Sequence, residues 1–316
     1  MNLAALENLV DTLRQAVGDE HVRTNVTLAP LTTFHVGGVA DVLVEAHSEH
    51  DLLAVTKAAR GAGVPVTALG GGSNVLIGDR GIRGVVVLMR DRGVEQIDDH
   101  GVRAAAGLTI NGLVRWTVGR GLAGIEAWAG TPGTVGGALH GNAHFRGRNI
   151  SDLVRDVRVV MPGGEVRDLP VGEMGFAYDT SRLQGSGEVA VSAVFNVTPG
   201  KTEELRATAR ESLAFRKRTQ PLDVPSAGCI FQNPDPARER VPDGIPPSAG
   251  ALIDRAGLKG STSGGARVSP THGNFIVHDG DASAGEIRQL IEHCKREVLT
   301  LHGVTLREEI VYLGEF

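Results

Sequence analysis

At 316 residues, with a formal net charge of −5 and its Lys and Arg scattered, the chain can hold two or three packed units and shows no basic face for duplex nucleic acid. Its two cysteines, Cys229 and Cys294, stand far apart, which gives neither a disulfide framework nor the spacing of a metal site, and a reducing cytoplasmic setting is expected. Glycine fills 43 positions, about twice the ordinary share, without a repeat period, so many of them are expected to be turns or close backbone approaches.

Leu3, Leu6, Leu9, Val10, Leu13 and Val17 recur at helical spacing and are broken by Glu7, Asp11 and Arg14, which predicts a surface helix. Neither this stretch nor any later apolar run has the form of a leader or a membrane span, so a soluble, unexported protein is expected. Leu28 to Phe34 leads through Gly37 and Gly38 to an alternating strand, Ala40 to Glu45. Ser48 and Asp51 open a helix through Ala59 that Gly61 and Gly63 stop, and a strand from Val64 follows. Together they read as a β-α-β unit, with parallel pairing and a right-handed crossover. That strand feeds a first glycine loop, Gly70-Gly71-Gly72-Ser73-Asn74-Val75.

Further strands are predicted at Val85 to Met89 and Val102 to Ala106, then a helix whose face is Ile110, Leu113, Val114, Thr117 and Val118. A second glycine loop runs from Ala129 to Ala143, and strands follow at 154–160, 165–169 and 189–197. Thr202 to Arg218 is a charged helix with Leu205, Ala209 and Leu213 on one stripe, ended by Pro221. The stretch rich in Pro, Asp and Arg at 220–247 marks a domain junction or a long functional loop. Ser283 and Glu286 box the start of a last helix, with Leu290, Ile291, Cys294, Val298 and Leu301 inward, and a strand from Val304 to Leu313 closes the chain.

Successive N–H groups in a glycine turn converge on an anion, and Ser73 and Asn74 add side-chain donors, so the first loop suits a phosphate or pyrophosphate. It is not a P-loop, which needs Lys and then Ser or Thr after the last glycine. Nor is it a dinucleotide fingerprint, because no helix opens from it. A lone triple glycine would read as a bare hairpin. The second loop, with Gly130, Thr131, Pro132, Gly133, Gly136, Gly137 and Asn142, moves the reading to ligand binding by both loops jointly.

These two loops, with Thr32 to Gly38 and Arg307 to Ile310, resemble the UDP-N-acetylenolpyruvoylglucosamine reductases, flavoenzymes of bacterial cell-wall synthesis, over nearly the whole chain. The resemblance implies an α+β fold whose FAD-binding part, of the vanillyl-alcohol-oxidase or PCMH type, forms two α+β subdomains, 1–80 with 304–316 and 81–213. A smaller α+β substrate-binding domain, 214–303, would follow. It also implies non-covalent FAD held by both loops, NADPH as co-substrate, a UDP-sugar sharing one cleft with it in turn, a cytoplasmic monomer, and no metal, nucleic acid or membrane. Such an enzyme sends hydride to the carbon β to a carboxylate, charge collects on the carboxylate side, and the α carbon then takes a proton.

Cys229, in Ala227-Gly228-Cys229-Ile230-Phe231-Gln232-Asn233, stands where the family usually has its proton-donating serine; a thiol is the stronger acid, and the plain alternative is a buried small side chain. Glu309 matches the family's C-terminal glutamate, and alternation puts Glu308 on the other face. The arginine expected directly after Tyr178 is replaced by Asp179, so either Arg182 or another cation stabilises the anion. Tyr178, Arg216, Asn233, Lys259 and His272 are candidates for the UDP-sugar by the same resemblance, with a structural role as the alternative, for His272 above all. Two other functions fit the glycine loops: a flavin oxidase of this fold acting on a sugar or alcohol, or a nucleotide-sugar binder that has lost turnover.

Overall fold

The computed structural model describes residues 3–235 and 237–316, with Leu3 and Ala4 as backbone only; the Leu3 member of the first stripe and Pro236 in the proline-rich stretch lie outside the described residues. The chain forms two compact units, one of Met1–Val26, Ala40–Gly71 and Arg83–Ala214, the other of Thr27–Val39, Gly72–Ile82 and Phe215–Phe316.

In the first unit, strands Val22–Thr27, Val39–Ala46, Ile82–Met89 and Val66–Leu69 make one sheet in that order. The helices Leu3–Val17 and Glu49–Gly61 cover it, burying Leu9, Leu13, Leu52 and Val55 with Val42, Val44, Val85 and Val87. The expected β-α-β pairing is corrected here. Val66–Leu69 pairs in parallel with Ile82–Met89, and not with the strand that precedes its helix. The reason is burial, since Val85, Val86, Val87 and Leu88 are an unbroken apolar run that only a central strand can cover on both faces. Ser48 accepts from Asp51 N as expected, while the Asp51 carboxylate returns to His47 N.

The same unit holds an antiparallel sheet in the order Val166–Pro170, Val154–Val160, Val189–Asn196, Gly101–Ala105, Val94–Asp98. Helix Ile110–Gly119, capped by Thr109, packs Ile110, Leu113 and Val114 into its core around Trp128. A short helix, Val135–His140, capped by Thr134, occupies the second glycine loop, where the glycines hid any helical signal. In helix Thr202–Thr219 the buried stripe is Leu205, Ser212 and Arg216, with Ala209 partly covered. Leu213 is exposed at 38%. The 3.6-residue period selects 205, 209, 212 and 216, so position outranks apolarity.

The second unit is built on helix Ala284–His302, whose capping box of Ser283 and Glu286 is present and whose Ile287, Leu290, Ile291, Cys294 and Val298 are buried. Leu301, expected inward, is 57% exposed, because the period carries the inner face from Val298 to position 302. Against this helix lie the antiparallel strands Thr262–Ser263, Ala266–Val268 and Ile276–His278, and helix Ala249–Arg255 capped by Ser248. The closing strand is shorter than expected. Val311–Leu313 pairs in parallel with Val75–Ile77, and ahead of it Glu308 makes a single bridge to Phe231. No helix among the described residues is long and apolar enough to cross a membrane.

Candidate functional site

In the first unit the two glycine loops meet backbone to backbone. A Cβ on Gly71 would stand 2.6 Å from Gly133 Cα, and one on Gly70 would stand 2.8 Å from Thr134 Oγ1, so neither position can carry a side chain without moving the other loop. Gly130 and Gly133 have φ of 83° and 94°. Asn111, which the sequence reading passed over, fastens the second loop, accepting from Gly130 N at 2.7 Å and donating to Thr131 O at 3.1 Å. Pro132 stands exposed beside them, and Gly136 and Gly137 form the first turn of Val135–His140. Asn142 is buried at φ 46°, with Nδ2 donating to Ala177 O at 2.8 Å and Oδ1 accepting from Ser151 N at 3.2 Å. Its amide ties the loop to the turn that carries Tyr178.

The rest of the first loop belongs to the second unit. Gly72 is buried at φ +61°, and a Cβ there would lie 2.2 Å from Leu31 O. Among the described residues the N–H groups of Gly72 and Ser73, both in this unit, donate to no protein acceptor. Gly72 is buried and Ser73 half-buried, and two successive N–H groups without a protein partner suit an anion that accepts several donors. The donor set therefore fits a pyrophosphate such as that of FAD. Asn74 Nδ2 donates to Glu309 O at 3.0 Å and its carbonyl accepts from Val311 N at 2.9 Å. Val75 opens the strand that pairs with Val311.

Cys229 and Glu309 are brought together in this unit by backbone pairing. Glu309 N donates to Ile230 O at 2.8 Å and Gln232 N to Arg307 O at 2.8 Å, across the bridge between Phe231 and Glu308. Asn274, another residue missed from sequence, grips the Cys229 segment: it accepts from Phe231 N at 2.9 Å and donates to Phe231 O at 2.7 Å, while its carbonyl accepts from Ile230 N. A side-chain amide imitating a strand leaves no periodic signal, which is why pattern reading passed over it. The two neighbouring glutamates part as alternation requires. Glu308 is paired with Lys295 at 2.8 Å, and Glu309 is half-buried on the other face. Cys229 is half-buried and unbridged, whereas Cys294 is core, its thiol pushed up to about 12 by burial.

Arg216 is 6% exposed, and burial pulls its guanidinium down to about 10, with the charge interaction with Cys229 acting the other way. Asn233 accepts from Ala249 N at 3.1 Å at the start of its helix. Lys259 is paired with Asp254 at 2.8 Å. His272 accepts from Asn274 N on Nδ1 and lies against Phe275; burial and then the Lys259 charge hold its imidazole below the usual value. In the first unit Tyr178 is exposed at a tight turn, Asp179 follows it at φ 53°, and Arg182 makes a forked ion pair with Glu188, at 2.7 to 3.0 Å.

A family model for an FAD binding domain matches residues 40–170, and one for the C-terminal domain of UDP-N-acetylenolpyruvoylglucosamine reductase matches residues 220–313. Relatives bearing that enzyme's name include one from Halalkalibacterium halodurans, 36% identical over 98% of this chain and 100% of its own, and one from Heliobacterium modesticaldum, 38% identical over 90% and 88%. The crystal structure of the Thermus caldophilus UDP-N-acetylenolpyruvylglucosamine reductase superposes at TM-score 0.76, with 32% identity over 92% of this chain and 99% of that one. Phl p 4.0202, a glucose dehydrogenase, is 16% identical over 62% of this chain and 44% of its own at TM-score 0.50, a likeness of fold alone. The fold is that of the FAD-binding vanillyl-alcohol-oxidase class, and with identities of 36% and 38% over nine-tenths or more of its length the chain belongs to the UDP-N-acetylenolpyruvoylglucosamine reductases, FAD-dependent oxidoreductases.

Proposed function

We propose that the protein reduces the enolpyruvyl group of UDP-N-acetyl-3-O-(1-carboxyvinyl)-glucosamine to give UDP-N-acetylmuramate for peptidoglycan precursor synthesis, with NADPH as the source of hydride. The observation that carries this reading beyond family membership is the pairing of the Cys229 segment with the Glu309 segment, because it sets an acid and a carboxyl on adjoining backbone. Bound FAD would supply the two-electron chemistry that connects NADPH with the substrate.

The chain's own groups do the rest. Gly70, Gly71, Gly72 and Ser73, with Gly130, Thr131, Pro132, Gly133, Gly136 and Gly137, hold the cofactor through backbone donors and small side chains; Asn74, Val75 and Asn142 fasten those loops. Cys229 keeps a proton for the α carbon, and Glu309 faces the carboxylate on which charge develops. Tyr178, Arg216, Asn233, Lys259 and His272 contact the UDP-sugar. Arg216 suits a diphosphate, since a buried guanidinium gains most from an anionic partner. The functional parts are the two FAD subdomains, 1–80 with 304–316 and 81–213, and the substrate domain, 214–303, and the enzyme works as a cytoplasmic monomer without metal, nucleic acid or membrane.

A flavin oxidase of the same fold would need the glycine loops but neither Cys229 nor Glu309. Purified protein should be yellow and release its flavin completely on denaturation, and it should consume NADPH at speed only when the enolpyruvyl UDP-sugar is present. Colourless protein that cannot be reconstituted with FAD contradicts the reading, and rapid NADPH consumption that ignores the sugar favours the oxidase.

A further inference from the structure

Tyr178 is followed by Asp179 where the family expects an arginine, so the anion needs another cation. Arg182 is poorly placed to serve. Its Nε and Nη2 both lie on the Glu188 carboxylate, whose side chain is 1% exposed, so these donors are turned to the protein interior. Asp179 brings a cation of its own. Its carboxylate, 5% exposed, has Oδ1 2.9 Å from His144 Nδ1, while Oδ2 is buried and makes no hydrogen bond among the described residues. A carboxylate so enclosed calls for a positive partner, and His144 is its one ion-pair partner among the described residues.

The pair is also fixed beside the cofactor loop. His144 follows Asn142 by two residues, and Asn142 Nδ2 donates to Ala177 O at 2.8 Å, joining the second glycine loop to the Tyr178 turn. Ser181 Oγ donates to His140 O at 2.8 Å, and Gln184 Nε2 donates to Asp179 O at 2.8 Å and to His140 O at 3.2 Å. Asp179 itself sits at φ 53°, in the left-handed region that an aspartate tolerates better than most side chains. The buried member of the pair is the carboxylate and the accessible member is the ring, 27% exposed, with the Tyr178 ring 5.0 Å away. In this unit Arg146, two residues beyond His144, is paired with Glu211 at 3.2 Å.

We propose that His144, protonated and held by Asp179, is the cation that stabilises the carboxylate side of the enolpyruvyl substrate in place of the family arginine. The inference rests on the reductase reading and adds a catalytic residue to that site. When hydride reaches the β carbon, the π electron pair moves toward the carboxylate, and the imidazolium meets the growing negative charge until the α carbon is protonated. No further redox partner is required.

The test is anaerobic single-turnover reoxidation of NADPH-reduced enzyme by the enolpyruvyl UDP-sugar, followed across pH in a Cys229→Ser background, which removes the thiol's titration. Adding His144→Gln should slow reoxidation by ~10² and abolish the alkaline limb, while NADPH still reduces the flavin. Adding Asp179→Asn should instead move that limb about one pH unit lower, and the flavin spectrum checks that each variant folds. If the sugar fails to reoxidise the wild type, the reductase reading falls, and the inference with it. If the wild type turns over and His144→Gln is as fast as its parent, or Arg182→Ala is slowed in its stead, the inference alone is overturned.

Discussion

The Cys229 and Glu309 segments are set by main-chain bonds, with Ile230 O accepting from Glu309 N and Arg307 O accepting from Gln232 N, whereas the Tyr178 turn is set by side chains, with Asp179 on His144 and Arg182 on Glu188. A ladder tolerates exchange of a side chain, so Cys can stand where Ser is usual and leave the geometry as it was. A charge at a turn does not. Replacing Arg by Asp inverts a charge, and every neighbouring ion has to pair again.

The largest effects should come from the ladder's two reacting side chains. Cys229→Ala should slow flavin reoxidation by the sugar by ~10² or more and Cys229→Ser much less, because a hydroxyl can still donate. Glu309→Gln should also cost ~10² in the same assay. A wild-type rate for Cys229→Ala would make the thiol mere packing and leave the donor to another group. Next in size is the amide that holds the ladder. Asn274→Ala strips both partners from the buried Phe231 backbone and should cost about 1–3 kcal/mol, read from urea denaturation, with some loss of kcat.

A smaller effect concerns acid. Burial holds the imidazoles of His140 and His272 below the ordinary 6.5. The unfolded chain therefore binds protons first as pH falls, so stability should be unaffected by these groups above 6.5 and decline below it until the folded histidines titrate. The urea midpoint should fall between about pH 7 and about pH 5, and His272→Asn should flatten part of that slope. Smallest of all, Glu308→Gln should be nearly silent in turnover, since its carboxylate serves Lys295 on the opposite face. A large loss there, with Glu309→Gln silent, would reverse the assignment of the two faces.

The long helices and most of the longer strands were legible because apolar spacing is set by burial, and the two glycine loops were legible because only glycine allows the approach of Gly71 to Gly133. Three things escaped. Strand order depends on which run is buried on both faces, and no local pattern reports that Ile82–Met89 inserts beside Val66–Leu69. Leu213 and Leu301 are apolar yet exposed, while Ser212 and Arg216 are polar yet buried, because the helical period decides which side chains face in. Asn74, Asn111 and Asn274 act through amides that bond to distant backbone, a role with no periodic signature. For the same reason the partner of Asp179, His144, could not be chosen from spacing alone.

The central claim, that the protein reduces the enolpyruvyl UDP-sugar, is tested most directly by mixing NADPH-reduced protein with one equivalent of that sugar in the absence of oxygen. The account predicts that the visible absorbance of oxidised flavin returns in a single phase and that the sugar leaves heavier by two hydrogens. Reduced flavin that stays colourless with the sugar and regains its colour only when dioxygen is admitted would contradict it.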